Sequence, residues 1–174
     1  MRGYFGIGCE GISKAHNLGA MMRTANAFGA SFVFTVNAAH DARKINKTDT
    51  SRTIKNLPYY EWDALADMRL PQGCALVGIE LTEDSIDLPS FKHPNNCAYI
   101  LGPEMGSLSP QMQARCAHIV KIPTKFCINV SLAAALTLYD RTLSCGGYPP
   151  RPVRPGGPDL AAVSDWNVPN LSKK

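Results

Sequence analysis

Short apolar runs at residues 4–8, 31–36, 74–81, 97–101 and 118–122 constrain this chain more than any other feature of it. Several are apolar at successive positions rather than at alternate ones, as in CAYIL at 97–101. A strand of that kind has two hydrophobic faces and must be covered on both, which is the condition of a parallel sheet lying between helices. Helical patterns fill the intervals at 17–28, about 61–68 and 110–117. A last helix is predicted from near Asn129, which can cap its own N-terminus, to about Ser144, where Gly146-Gly147 ends it. The alternation predicts an α/β domain with a mostly parallel sheet and helices on both faces.

Two stretches fall outside that pattern. Residues 42–56 carry Arg43, Lys44, Lys47, Arg52 and Lys55 with little apolar content, and read as an exposed loop. From residue 146 onward, Pro149, Pro150, Pro152, Pro155, Pro158 and Pro169 exclude regular helix or sheet. The expected division is one domain over 1–145 and a proline-rich tail over 146–174. A chain of 174 residues with 45% hydrophobic content has enough apolar material for a single core.

Bulk charge decides little. A net charge of +4 suits an anionic partner and equally suits a solvated surface. The six cysteines form no CxxC pair and no Cys/His cluster at zinc spacing, so neither a metal site nor a disulfide scaffold is expected. That usage fits a reducing cytoplasm. The opening residues lack the apolar core of a signal peptide, and the longest apolar stretch, at 130–139, is too short to span a bilayer.

Gly6-Ile-Gly8-Cys-Glu-Gly11 spells GxGxxG, the pattern of a dinucleotide site. Its context is wrong. Barely five residues precede it, the helical pattern starts only at Asn17, and Glu10 would set a negative charge beside the phosphates. A glycine-rich strand-to-loop junction is the better reading.

Three other segments offer chemistry. In Asn17–Gly29, Leu18, Met21, Met22, Ala25 and Phe28 make an apolar helix face, with Asn17 placed at the cap. Arg23 is the one charge among those thirteen residues, which suits a phosphate or carboxylate partner as well as plain solvation. Gly102-Pro103-Glu104-Met105-Gly106 follows an apolar strand, where open α/β sheets place ligands. Glu104 is either a site carboxylate or a dipole partner for the helix after Pro110. In residues 122–131, Asn129 and Ser131 sit at a helix start, where capping is the commoner role.

Taken in order, N-x(5)-R-x(4)-F-G, L-G-P-E and I-P-x(5)-N-V-S make the chain resemble the SpoU/TrmH branch of the SPOUT methyltransferases over residues 4–143. The resemblance implies a single-domain SPOUT fold with a C-terminal deep trefoil knot, a homodimer, and S-adenosylmethionine as cofactor. It implies catalytic roles for Arg23, Asn17, Glu104 and Asn129, with Arg23 handling the 2′-hydroxyl and neighbouring phosphate of a target ribose. It places Ile79, Gly102, Ile122, Cys127 and Ile128 around the cofactor. The implied activity is ribose 2′-O-methylation of RNA, tRNA favoured and rRNA possible. Arg23 would also contact RNA, together with the loop cations Arg43, Lys44, Lys47 and Arg52.

The chain departs from the family pattern twice. Cys127 stands where the family usually has serine, and Ser107 where it has a second glycine before Leu108. The wording GPEMGSLSP is also similar to that of the base-methylating branch, which keeps base methylation as an alternative. A non-catalytic RNA-binding dimer of the same fold is the alternative from another class.

Overall fold

The protein is described here by a computed structural model, which covers residues 3–39, 57–146, 152 and 154–157. The loop cations Arg43, Lys44, Lys47 and Arg52, and most of the tail, lie outside the described residues. Seven strands run β1 Phe5–Glu10, β2 Phe32–Val36, β3 Tyr59–Trp62, β4 Ala75–Ile79, β5 Ile86–Asp87, β6 Cys97–Leu101 and β7 His118–Lys121. They form one sheet in the order β3-β2-β1-β6-β4-β7-β5. Every pairing is parallel, so all the strands end at the same pole.

Strand chemistry explains the layers. In β6 and β2 every residue is buried, and successive side chains alternate between two clusters. Ile7, Val33, Val77, Tyr99, Leu101 and Val120 face a layer made by α1 (Ala15–Ala27) and α3 (Val130–Cys145). Phe32, Phe34, Leu76, Ala98 and Ile100 face the other way, onto Met112 of α2 (Pro110–Arg115) and onto Met68. The expected apolar face of α1 is real, since Leu18, Met21, Met22 and Ala25 are buried. Gly29 ends that helix with φ +74, while the N–H of Ala30 reaches back to the carbonyl of Ala25 at 2.9 Å.

The first two glycines of GxGxxG serve packing. A Cβ on Gly6 would clash with the Phe32 ring, and one on Gly8 would meet the Phe34 carbonyl oxygen at 2.5 Å. The aromatic residues of β2 therefore need bare backbone on β1.

Three expectations need correction. Residues 61–68 are not a helix: β3 takes Tyr59–Trp62, and only a 3-10 turn at Leu65–Asp67 follows. The helical spacing of Trp62, Leu65 and Met68 is met instead by a chain turning around the sheet edge. Tyr60 stacks on Trp62 at 6.0 Å between ring centroids, and both rings meet the Phe32–Phe34 pair edge-on. Those cross-strand aromatic contacts outweigh local helix preference. The second correction is β5, two residues long and invisible to any periodicity. Third, Asn17 is not the cap of α1. Lys14 holds that position, and Asn17 lies buried in the first turn.

Asn129 does cap α3, its side chain accepting the Ser131 N–H. Among the described residues no helix is long and apolar enough to cross a membrane. Nor do they contain a group of three or more His, Cys, Asp or Glu able to hold a metal ion.

Candidate active site

The carboxyl ends of the strands bring the three motif segments together. Glu104, in the loop after β6, folds back onto the start of α1. Its Oε2 accepts the Ser13 N–H at 3.0 Å and the Ser13 hydroxyl at 2.9 Å. Its Oε1 accepts the Lys14 N–H and the Asn17 side-chain amide, each at 3.0 Å. Glu104 is thus a dipole partner for a helix, but for α1 and not for the helix after Pro110. Burial pushes its carboxyl upward, yet the hydrogen bonds from Ser13, Asn17 and Lys14 more than offset this and hold it at about 2.

The network continues into the third motif. The Asn129 amide donates to Asn17 Oδ1 at 3.1 Å, while Asn129 Oδ1 accepts the Ser131 N–H at 2.9 Å and the Ser131 hydroxyl at 2.6 Å. Asn17, Glu104 and Asn129 are therefore one chain of contacts, spanning three segments far apart in sequence. Each amide is fixed in orientation by a partner of definite sign: a carboxylate must accept, and a backbone N–H must donate.

Beside this chain lies a cavity of about 170 Å³. Its walls include Ile79, Leu101, Ile122, Ile128, Val130 and Ala133, and its polar side chains are Glu80, Glu104, Thr124 and Cys127. All five positions predicted around a cofactor, Ile79, Gly102, Ile122, Cys127 and Ile128, line it. Apolar walls with polar groups at the rim suit a flat heterocycle attached to a polar tail.

Of the two departures from the family pattern, Cys127 lines this cavity and Ser107 lies in the turn beside it. Cys127 is exposed, with its residue lining the cavity. The 102–108 turn closes through Gly106, at φ +128, and brings the backbone of Ser107 and Leu108 against Gly102. One glycine at 106 thus lets the turn form with serine at 107.

Arg23 is placed differently. It is exposed on α1, six residues after Asn17, which on a helix is about 9 Å along the axis and about 120° round from it. It is not among the residues lining the cavity.

Sequence reading missed two glutamates here. Glu80 lines the cavity, accepting the Leu108 N–H at 2.7 Å and the Leu81 N–H at 3.0 Å. Glu10 accepts the N–H and hydroxyl of Ser109, the residue that caps α2, at 2.8 and 2.7 Å. The available signal was an acid directly after an apolar strand run, repeated at Glu10 and Glu80. Cys9 donates to the Gly102 carbonyl at 3.0 Å, and burial, followed by the charges of Glu104 and Glu10, pushes its thiol far up. It is a structural thiol and no nucleophile.

Comparison with known proteins identifies the family. The chain is 27% identical over 146 residues to a 23S rRNA (guanosine-2'-O-)-methyltransferase of Acinetobacter baylyi, covering 77% of this chain and 57% of that protein. It is 26% identical over 144 residues to a tRNA (guanosine(18)-2'-O)-methyltransferase of Escherichia coli, covering 75% and 59%. The chain thus spans somewhat over half the length of these relatives. Among solved structures, the SpoU methyltransferase AviRb from Streptomyces viridochromogenes, in complex with AdoMet, superposes with a TM-score of 0.73 at 21% identity. That match covers 86% of this chain and 60% of AviRb. Residues 5–139 match the SpoU rRNA Methylase family, and the chain belongs to it.

Proposed function

We propose that this chain is an S-adenosylmethionine-dependent RNA methyltransferase acting on a ribose 2′-hydroxyl. The observation that carries the reading is the Glu104–Asn17–Asn129 chain set against a cavity lined by all five positions predicted for the cofactor. The methyltransferases of Acinetobacter baylyi and Escherichia coli, both named for guanosine 2′-O-methylation, support ribose over base as the target. One of them is named for tRNA and the other for 23S rRNA; tRNA remains the favoured substrate and rRNA the second.

The donor set fits the cofactor. Ile79, Leu101, Ile122 and Ile128 offer apolar walls for an adenine, and Glu80 and Glu104 bring carboxylates to a ligand whose sulfur and amino group are cationic. When bound, S-adenosylmethionine supplies a methyl group on positively charged sulfur. The protein's task is then alignment, which can supply roughly 7–11 kcal/mol in favourable cases. Glu104 holds Asn17, and Asn17 and Asn129 hold each other, so the acceptor side of the site is rigid before RNA arrives. With its carboxyl at about 2 and both oxygens engaged, Glu104 is a positioning residue and no general base near neutral pH.

Arg23 acts as an electrostatic clamp on the target ribose and its neighbouring phosphate. A guanidinium has no lone pair to spare and is a poor base by itself. Its place on the exposed side of α1, away from its own cavity, favours a role in the site of a second copy. A homodimer also accounts for Leu132, Leu136 and Tyr139, which form an exposed apolar stripe at helical spacing along α3. The RNA itself is held by Arg23 and, in our reading, by Arg43, Lys44, Lys47 and Arg52.

The fold carries, on this reading, a deep trefoil knot. Its support is β7 seated between β4 and β5, so that the connection from Ile79 to Ile86 has to pass over a strand that comes later in sequence. We assign the methyltransferase fold to a single domain over 1–145, followed by the tail over 146–174. All six cysteines are free, which supports placing the protein in a reducing cytoplasm.

The test is transfer of label from S-adenosylmethionine to total RNA of a strain lacking the protein, followed by nuclease digestion and mass spectrometry. Label on a ribose oxygen is the expected result. Label on a base would move the chain to the base-methylating branch. Cofactor binding without transfer to any RNA would leave a non-catalytic RNA-binding dimer.

A further inference from the structure

We infer that Glu80 recognises the ribose of the methyl donor by accepting hydrogen bonds from its vicinal 2′- and 3′-hydroxyls; this rests on the cavity being the cofactor site. The argument is a count of lone pairs. An ionised carboxylate has about four acceptor sites, two on each oxygen. Glu104 receives two donors on Oε2 and two on Oε1, and is full. Glu80 receives one donor on each oxygen, Leu108 N–H on Oε2 and Leu81 N–H on Oε1. One site per oxygen remains.

No other lining side chain offers as much. Ile79, Leu81, Leu101, Ile122, Ile128 and Val130 are apolar. The Thr124 hydroxyl is turned onto the carbonyls of Phe126 and Ile122, at 2.9 and 3.3 Å, and a Cys127 thiol accepts only weakly. Two adjacent strong acceptors on one planar group match two adjacent hydroxyl donors on one ring.

Glu80 is also held where such a ligand needs it. Its two backbone bonds fix the carboxylate against the 102–108 turn. A Cβ on Gly102 would lie 3.5 Å from Oε2, so the carboxylate borders bare backbone at the strand end. The tie to Leu108 closes that turn, and the free lone pairs give the same side chain a second role. A ligand lacking one hydroxyl would leave a charged acceptor unmatched inside the site, which is how buried polar groups reject analogues.

The experiment is calorimetric titration of S-adenosylhomocysteine and its 2′-deoxyribose analogue into the intact chain, wild type and Glu80→Gln. The homocysteine form carries no sulfonium, so the charge on sulfur does not enter. Wild type should prefer the ribose ligand by about 10–100-fold. Glu80→Gln should cut that preference to within about threefold, and Glu80→Ala should abolish it. Thermal melting confirms that each variant is folded.

A wild type that does not discriminate overturns the inference. Variants that weaken both ligands in proportion, keeping the wild-type ratio, reduce Glu80 to a loop tie and overturn it too. A wild type that binds neither ligand removes the cofactor reading itself, and this proposal with it.

Discussion

At the carboxyl ends of the strands, Glu10, Glu80 and Glu104 accept backbone N–H groups from neighbouring loops. At the amino ends, a cation is sealed in. Arg141 of α3 is 1% exposed, donating to the carbonyls of Pro94 and Asn95 at 2.7 and 2.9 Å and to the Tyr99 hydroxyl at 3.2 Å. Its guanidinium lies 4.8 Å from the centre of the Phe5 ring. Tyr99 in turn meets His93, which bonds Asp140 at 2.9 Å. Burial lowers the pKa of His93 despite the opposing pull of Asp140. The two poles thus differ in what their charges touch. The Arg141 pole binds almost wholly inward and joins α3 to the strand starts; the glutamate pole binds loops and keeps acceptors facing a cavity. The first arrangement serves stability, and the second is open to a ligand.

The largest effect should come from breaking the closed pole. Arg141→Met keeps length but removes the donor shared by the buried Tyr99 hydroxyl and the carbonyls of Pro94 and Asn95, at a cost of about 2–5 kcal/mol. Urea denaturation measures the loss. Affinity for S-adenosylmethionine in the folded protein should stay at the wild-type value, and a large fall in it would erase the division between poles.

Arg23→Ala tests the other pole. Loss of an electrostatic clamp should lower kcat by roughly 100–1,000-fold, with cofactor affinity nearly unchanged. A variant that keeps wild-type turnover would remove Arg23 from the mechanism. Mixing Arg23→Ala with an Asn129→Ala chain sharpens the point: if sites are shared between copies, the mixture should be more active than either parent.

Between the poles runs β1. Gly8→Ala would push a methyl group into the Phe34 backbone, and overpacking of this kind costs about 1–3 kcal/mol. Chemical denaturation should show that loss with cofactor binding retained. A selective loss of binding instead would revive a ligand role for the glycines.

How much of this was legible follows from the range of the forces. The two-sided strands, the α1 face and the Asn129 cap depend on neighbours in sequence, and the residues spell them out. The edge strand Tyr59–Trp62 did not read as a strand, because its aromatic side chains are held by Phe32 and Phe34, far back in the chain. Asn17 reads as a cap since Asn before an apolar run usually is one. Only a carboxylate 87 residues away draws it into the helix. The motifs marked Glu104 and Asn129 as site residues, whereas Glu80 belongs to no motif and Glu10 falls only in the GxGxxG pattern set aside above. Their partners, Ser109 and Leu108, come close only when the sheet forms.

The smallest effect concerns Glu104 and separates its part in stability from its part in the site. Its carboxyl is held at about 2 in the folded protein, against 4.5 for the ordinary group. A folded pKa below the unfolded one means that the carboxylate stabilises the fold fully above about pH 4.5, and that this contribution fades as pH falls towards 2. Glu104 is partly exposed, so solvent screening leaves about 1 kcal/mol of the nominal linkage. Glu104→Gln should therefore be about 1 kcal/mol less stable than wild type at pH 7, with the two denaturation curves converging between pH 4.5 and 2. The amide also turns a donor towards Ser13 or Lys14, so Asn17 loses a fixed partner and kcat should fall by more than the stability change explains. Curves that stay parallel down to pH 2 would mean that the Ser13–Lys14–Asn17 cradle does not hold the charge. The open pole would then owe its order to something other than Glu104.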